Sequence, residues 1–158
     1  MKGDPKVIER LNGLLADELT AISQYMVHSE VCDNWGYGKL HKAIEKQAMD
    51  EMHHAETHIA RIVFLEGNPI VSKLNPMHIG KTVPEMIAND KEAELSAIRA
   101  YNAGIDVAIK AGDEGTAEIL RKILQDEEGH EDWNEAQLDQ IGQMGLENYL
   151  SAQTEAGS

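Results

Sequence analysis

Asp50-Glu51-Met52-His53-His54 and, 76 positions further on, Asp126-Glu127-Glu128-Gly129-His130 decide how this chain is read. Each stretch holds a glutamate and a histidine three residues apart, a spacing that brings both side chains to one side of a helix. The same shift lays Glu18-Leu19-Thr20-Ala21-Ile22-Ser23-Gln24-Tyr25 over Glu94-Leu95-Ser96-Ala97-Ile98-Arg99-Ala100-Tyr101. Most surface positions do not correspond under the shift, whereas the polar Glu and His do. Packing of an apolar core does not select such residues, so the chain reads as two copies of one functional hairpin.

Working outward, Val7, Leu11, Leu14, Leu15, Ile22, Tyr25 and Met26 recur at helical spacing. The four prolines, at 5, 69, 76 and 84, leave four long stretches uninterrupted. These predict helices over 5–34, 39–66, 83–111 and 113–144, and a short one over 146–153. Asn34-Trp35-Gly36-Tyr37-Gly38 and Gly112-Asp113 read as turns. The roughly 15 residues before Lys81 read as a crossover along the length of a bundle. Helices near 30 residues are about 40 Å long at ~1.5 Å per residue, a length that suits a four-helix bundle. The expected class is all-α: two hairpins joined by a long crossover, plus a short C-terminal fifth helix, in a single domain over 1–158.

With 42% hydrophobic residues the chain buries a real core, and its 4% aromatic content leaves Ala, Ile, Leu and Met to build it. Asp and Glu number 28 against 14 Lys and Arg, a formal charge of −14. Phosphate contacts need Lys and Arg, so nucleic-acid binding is excluded, while an acidic surface or cavity suits cations. A lone cysteine, Cys32, excludes an intrachain disulfide, a Cys-based zinc site and a Cys-x-x-Cys redox pair. Met1-Lys2-Gly3-Asp4-Pro5 lacks the apolar stretch of a signal peptide. Ile62-Val63-Phe64-Leu65, the longest strongly apolar run, is far too short to span a membrane. The expected location is cytoplasmic.

Glu18 lies four residues after Leu14 and four before Ile22, within the apolar stripe of the first helix; Glu94 sits likewise between Ile87 and Ile98. Each helix thus turns a carboxylate inward near mid-length. Burying four together costs several kcal/mol per ion unless they are neutralised. Two divalent cations close the charge, and two histidines add neutral nitrogen ligands. One Glu from each of two helices with Glu-x-x-His from each of the others is the di-iron carboxylate constellation. Oxygen-rich ligation with one imidazole per metal suits Fe(II) or Mn(II). Glu18, Glu51, His54, Glu94, Glu127 and His130 are therefore the expected metal ligands and the catalytic set.

Other residues read more plainly. A zinc-protease motif H-E-x-x-H is absent, since Ala55 follows His54. His28, His41, His53 and His78 read as surface or interface histidines, and Cys32 as a small buried or interface residue with no base beside it. Gly129, which costs a helix about 1 kcal/mol relative to Ala, suggests close backbone packing.

Over essentially its whole length the sequence resembles a bacterioferritin. Met1-Lys2-Gly3-Asp4, Asp50-Glu51-Met52, Phe64-Leu65-Glu66-Gly67, Asp126-Glu127-Glu128-Gly129-His130 and Met144-Gly145-Leu146-Glu147-Asn148-Tyr149-Leu150 carry the resemblance. It implies a ferritin-like fold and a hollow homo-oligomeric cage of 24 chains built from dimers. It also implies ferroxidase oxidation of Fe(II) by O₂ or peroxide, storage of ferric mineral, and a ferredoxin-type reductant for iron release. By the same resemblance Glu51 and Glu127 bridge two irons, with Glu18 and His54 on one and Glu94 and His130 on the other. Tyr25 matches a tyrosine near the centre that supplies an electron.

Met52 follows a bridging glutamate and is turned about 100° from it, and the shift maps it onto Glu128, so it stands outside the repeat. It reads either as an interface methionine filling a gap or, by the resemblance, as an axial ligand of haem b at the dimer twofold, with Leu19, Ser23 and Met26 in the pocket. One departure is Lys46, where some relatives carry a histidine that joins Asp50 in holding a further iron; a lysine repels a cation, and no third site is expected. Two alternatives share the bundle, a rubrerythrin-like di-iron peroxidase and a haem-free ferritin. The first normally adds a Cys-rich module for which one cysteine leaves no room. A purely structural bundle is opposed by the cost of burying the carboxylates.

Overall fold

The computed structural model describes residues 1–155, which form five α-helices. These are α1 (Pro5–Asn34), α2 (Gly38–Phe64), α3 (Val83–Lys110), α4 (Glu114–Met144) and α5 (Leu146–Gln153). Three starts are capped as the sequence dictates. Asp4 accepts from the Lys6 amide at 2.7 Å, Thr82 from Glu85 at 3.3 Å and Asp113 from Thr116 at 3.0 Å. Pro5 and Pro84 occupy first-turn positions that lack an intrahelical acceptor anyway. The end of α2 falls at Phe64 rather than 66, because Glu66 adopts φ 63° and the Gly67 amide returns to the Ile62 carbonyl at 2.9 Å.

The helices pair as two hairpins, α1 with α2 and α3 with α4, and the hairpins meet through α1 against α3 and α2 against α4. The core splits into two apolar clusters. One gathers Val7, Leu11, Leu14, Leu15, Ile62, Leu65, Leu120 and Ile123. The other gathers Cys32, Leu40, Ile44, Val83, Met86, Ile87 and Tyr149. Tyr149 brings α5 onto the bundle and donates to Gln137 Oε1 at 2.7 Å. Along the helices, the inward-facing carboxylates fall between these clusters. Among the described residues no helix is long and apolar enough to cross a membrane.

The connection between α2 and α3 runs along α1, fastened at Asn12, Thr20, Gln24 and His28. Asn12 Oδ1 accepts from the Ile70 amide (2.9 Å), Thr20 Oγ1 from Asn75 (2.8 Å) and Gln24 Oε1 from His78 (3.0 Å). His28 Nε2 accepts from Gly80 (3.0 Å). This corrects the expectation that His28 is a surface or interface residue. It is 0% exposed, and its Nδ1 donates to Asp90 Oδ1 at 2.8 Å. The close packing expected at Gly129 is also not found, since a Cβ there would meet nothing within 4 Å. It occurs at Gly104, where a Cβ would lie 3.1 Å from Leu120 and 3.3 Å from Leu14.

Candidate metal centre

Glu18, Glu51, Glu94 and Glu127 come one from each of α1 to α4 and are almost fully buried, with His54 and His130 beside them. Their ligand atoms form two overlapping quartets. Glu18, Glu51, His54 and Glu127 make one, Glu51, Glu94, Glu127 and His130 the other, and in each the atoms lie within 4.8 Å of one another. Glu51 and Glu127 belong to both.

Glu18 Oε2, Glu51 Oε2, Glu94 Oε2, Glu127 Oε1 and His54 Nδ1 are buried without a hydrogen-bond partner. His54 Nδ1 lies 3.1 Å from Glu127, 3.4 Å from Glu51 and 3.6 Å from Glu18, near enough for attraction but without hydrogen-bond geometry. His130 Nδ1 lies 2.9 Å from Glu51 and 3.4 Å from Glu94. Buried polar atoms are almost always satisfied, and each exception asks for a cause. Acceptor oxygens and an imidazole nitrogen gathered about one volume are satisfied together by cations, which fits oxygen-rich Fe(II) or Mn(II) ligation.

Without metal the centre holds protons instead. Burial pushes the Glu51 and Glu127 carboxyls well above the usual carboxylate range, and neighbouring carboxylates push them further. Burial also acts on Glu18, but the close approach of Glu51 and His54 outweighs it and holds Glu18 low. Burial disfavours imidazolium at His54 and His130, yet the surrounding carboxylates prevail. His54 is driven strongly upward and His130 to about 9.

The residues that hold these side chains are crossed between the hairpins. Tyr25 donates to Glu94 Oε1 at 2.5 Å, and Tyr101 donates to Glu18 Oε1. His54 Nε2 meets Asp126 Oδ2 at 2.9 Å, and His130 Nε2 meets Asp50 Oδ2 at 2.9 Å. His58, fully buried, places Nε2 2.6 Å from the Tyr101 hydroxyl, stacks on its ring and leaves Nδ1 unpartnered. Burial lowers its pKa to about 4.

Two cavities reach this centre. One of about 480 Å³, between α1, α3 and the crossover, is walled by Asp17, Asn75, His78, Asn89 and Glu92 and reaches Glu18, Glu51 and Glu127. The other, about 380 Å³ between α2 and α4, is lined by Lys46, Asp50, Asp126 and His130.

All six residues expected from the sequence are thus brought together, with Tyr25 in contact. Lys46 pairs with Asp50 at 3.1 Å. Met52 is turned outward, 36% exposed, and Met26 and Met49 are exposed too. Leu19 and Ser23 are half-buried. Cys32 is buried and its thiol pushed up to about 11, chiefly by burial, as suits an inert packing residue. The reading from sequence assigned no role to Tyr101, His58, Asp50 or Asp126. Tyr101 carried a signal, as the repeat partner of Tyr25. His58 carried none, because the shift maps it onto Asn134.

The sequence profile of the ferritin-like domain matches residues 8–144. The chain is 41% identical to the bacterioferritin of Brucella melitensis biotype 1 over 149 residues, covering 94% of this chain and 92% of that protein. It is 44% identical to the Streptomyces coelicolor bacterioferritin over 151 residues, 96% and 90% of the two chains. It is 42% identical to a bacterial ferritin of Synechocystis over 154 residues, 97% and 99%. A crossed pair of helical hairpins, a buried carboxylate–histidine centre and near-full-length similarity agree: the chain belongs to the ferritin family, in its bacterioferritin branch.

Proposed function

We propose that this iron-storage ferroxidase binds its two Fe(II) substrates in the two quartets, bridged by Glu51 and Glu127. Glu18 and His54 complete one site, and Glu94 and His130 the other. The observation that carries this is the set of unpartnered buried ligand atoms shared between overlapping quartets. Four carboxylates balance two divalent cations, so binding replaces the protons the empty centre must hold. Each Fe(II) gives up one electron; peroxide takes two electrons and two protons to become two waters, and O₂ takes the same to become peroxide. Where only one Fe(II) is bound, Tyr25 can supply the second electron that peroxide takes, its phenolic proton passing to Glu94 2.5 Å away. The ferric product is stored as mineral inside a cage of 24 chains built from dimers, in the cytoplasm, and a ferredoxin-type reductant releases it.

Met52 is an exposed thioether on the outer face of α2, with Met49 one turn before it and Met26 exposed on α1. This soft, apolar surface fits haem b held between two Met52 side chains at a dimer twofold. Haem bound there would supply electron transfer, and Met52 would hold it through its sulfur.

The test is anaerobic addition of Fe(II) followed by air, followed by absorbance. Fast ferric formation saturating near two Fe(II) per chain is expected, and it should collapse in Glu127→Ala while the cage still assembles. An unmodified rate in that variant would refute the site.

A further inference from the structure

Tyr101 and His58 are buried beside the centre, and the reaction described above uses neither. Tyr101 is 0% exposed and donates to Glu18 Oε1. His58, also 0% exposed, sets Nε2 2.6 Å from the same phenolic oxygen and stacks on the ring with centroids 5.8 Å apart. An ionised carboxylate only accepts, so the Tyr101 proton points to Glu18 and the contact with His58 is made by an N–H at Nε2. Nδ1 is left as a buried lone pair without a partner. The Tyr101 oxygen thus gives its proton to a metal ligand while receiving one hydrogen bond of its own. The hydroxyl of its repeat counterpart, Tyr25, pairs with Glu94 alone among the described residues.

We propose that Tyr101, braced by His58, is a second electron donor, serving the site of Glu18 and His54 as Tyr25 serves that of Glu94 and His130. The proposal rests on the metal-site reading above and adds to it a separate donor for each half of the centre. A lone Fe(II) gives peroxide one electron, and the O–O bond then breaks into hydroxide and a hydroxyl radical. With Tyr101 as the second donor, its O–H bond breaks as well, the proton passing to Glu18 Oε1 and the electron to the peroxide. The balance is then closed: peroxide, one Fe(II), one phenol and one further proton become Fe(III), a phenoxyl radical and two waters. A later Fe(II), with a proton, restores the phenol. His58 is a positioning residue, because its N–H still holds the phenoxyl oxygen after the proton has left, and burial keeps the radical from solvent. A tyrosine that merely anchored Glu18 would need no such partner. A buried imidazole with a bare Nδ1 is an unfavourable way to fill that volume, and its presence asks for a cause.

The test uses the assembled, metal-free protein, loaded without air with one Fe(II) per chain, desalted, mixed with peroxide and frozen for high-field electron paramagnetic resonance. The parent should show two tyrosyl components. Tyr25→Phe should keep only the one whose oxygen receives a hydrogen bond, recognised by its smaller largest g value, and Tyr101→Phe only the other. Removing both phenols should abolish the tyrosyl signal and raise the hydroxyl-radical adducts of a spin trap. His58→Leu in the Tyr25→Phe protein should keep the radical and shift its largest g value up to that of Tyr25. Ferric iron without a tyrosyl radical in Tyr25→Phe would overturn the role of Tyr101, as would a tyrosyl signal that survives loss of both phenols. A g value unmoved by His58→Leu would overturn the brace. A parent that retains no Fe(II) on desalting would instead overturn the metal-site reading, so the two failures are distinct.

Discussion

Tyr25 and Tyr101, 76 positions apart, exchange hydrogen bonds between the hairpins: Tyr25 on α1 donates to Glu94 on α3, and Tyr101 on α3 donates to Glu18 on α1. Burial first, and then the adjacent carboxylates, raise both phenols far above their ordinary value, so both remain donors. Their surroundings differ in one respect: the Tyr101 hydroxyl is also met by His58 Nε2 at 2.6 Å.

Tyr101→Phe keeps the ring but leaves Glu18 Oε1 buried without its donor. The metal-free protein should lose about 1–3 kcal/mol, the usual consequence of an unsatisfied buried acceptor. The loss should shrink once metal is bound, because the Glu18 carboxylate then has a cation partner. Denaturant unfolding with and without Co(II) measures both. Equal losses in the two forms would contradict the link between Tyr101 and the metal ligand.

His58 is neutral in the folded chain, because burial lowers its pKa from the ordinary imidazole value of 6.5 to about 4. Its Nε2 proton is given to Tyr101, and a second proton on Nδ1 would find no acceptor. A base whose folded pKa is depressed withholds protons that the unfolded chain takes up. Stability is therefore full above about pH 6.5 and falls as the pH drops towards 4, by up to about 3 kcal/mol. His58→Asn, which places at 58 the residue already found at its repeat position 134, should flatten this acid limb. Parallel pH–stability profiles of parent and variant would count against it.

Loading the centre must expel protons. His130 is pushed up to about 9, His54 is raised strongly, and Glu51 and Glu127 are well above the usual carboxylate range. All four take up protons that ligation displaces, so binding should release roughly two or more per chain near neutral pH and weaken as the pH falls. Calorimetry in two buffers of different ionisation enthalpy should give different heats. Identical heats would argue against a protonated carboxylate cluster.

Met52 and Glu51 are adjacent, yet one faces solvent and the other the centre. The two functions should separate. Met52→Leu preserves size and apolar character, a change that typically costs under ~1.5 kcal/mol. Haem absorbance should disappear or shift, while Fe(II) oxidation stays within a few-fold of the parent. Unchanged haem occupancy and spectrum would remove Met52 from that role.

Much of this was legible in the sequence, because the repeat and the helical period are strong signals that reinforce each other. Glu18 and Glu94 could be placed inward by their spacing from leucine and isoleucine neighbours, and the Glu-x-x-His pairs by matching each other. What escaped depended on contacts between helices that are remote in sequence. From the sequence His28 reads as a surface or interface residue, because nothing local reveals that Gly80 and Asp90 close over it. His58 on α2 reaches Tyr101 on α3 only across the bundle interior, where side chains of the two diagonal helices meet. Asp50 and Asp126 were visible as repeat partners, but their crossed pairing with the histidines appears only when α2 and α4 are brought side by side.

The central claim is that two irons share Glu51 and Glu127, and the most direct measurement is anomalous diffraction from a crystal soaked anaerobically in Fe(II). The account predicts two iron peaks per chain, one beside Glu18 and His54 and one beside Glu94 and His130, both in contact with Glu51 and Glu127. A single peak, or iron bound away from these six side chains, would contradict it.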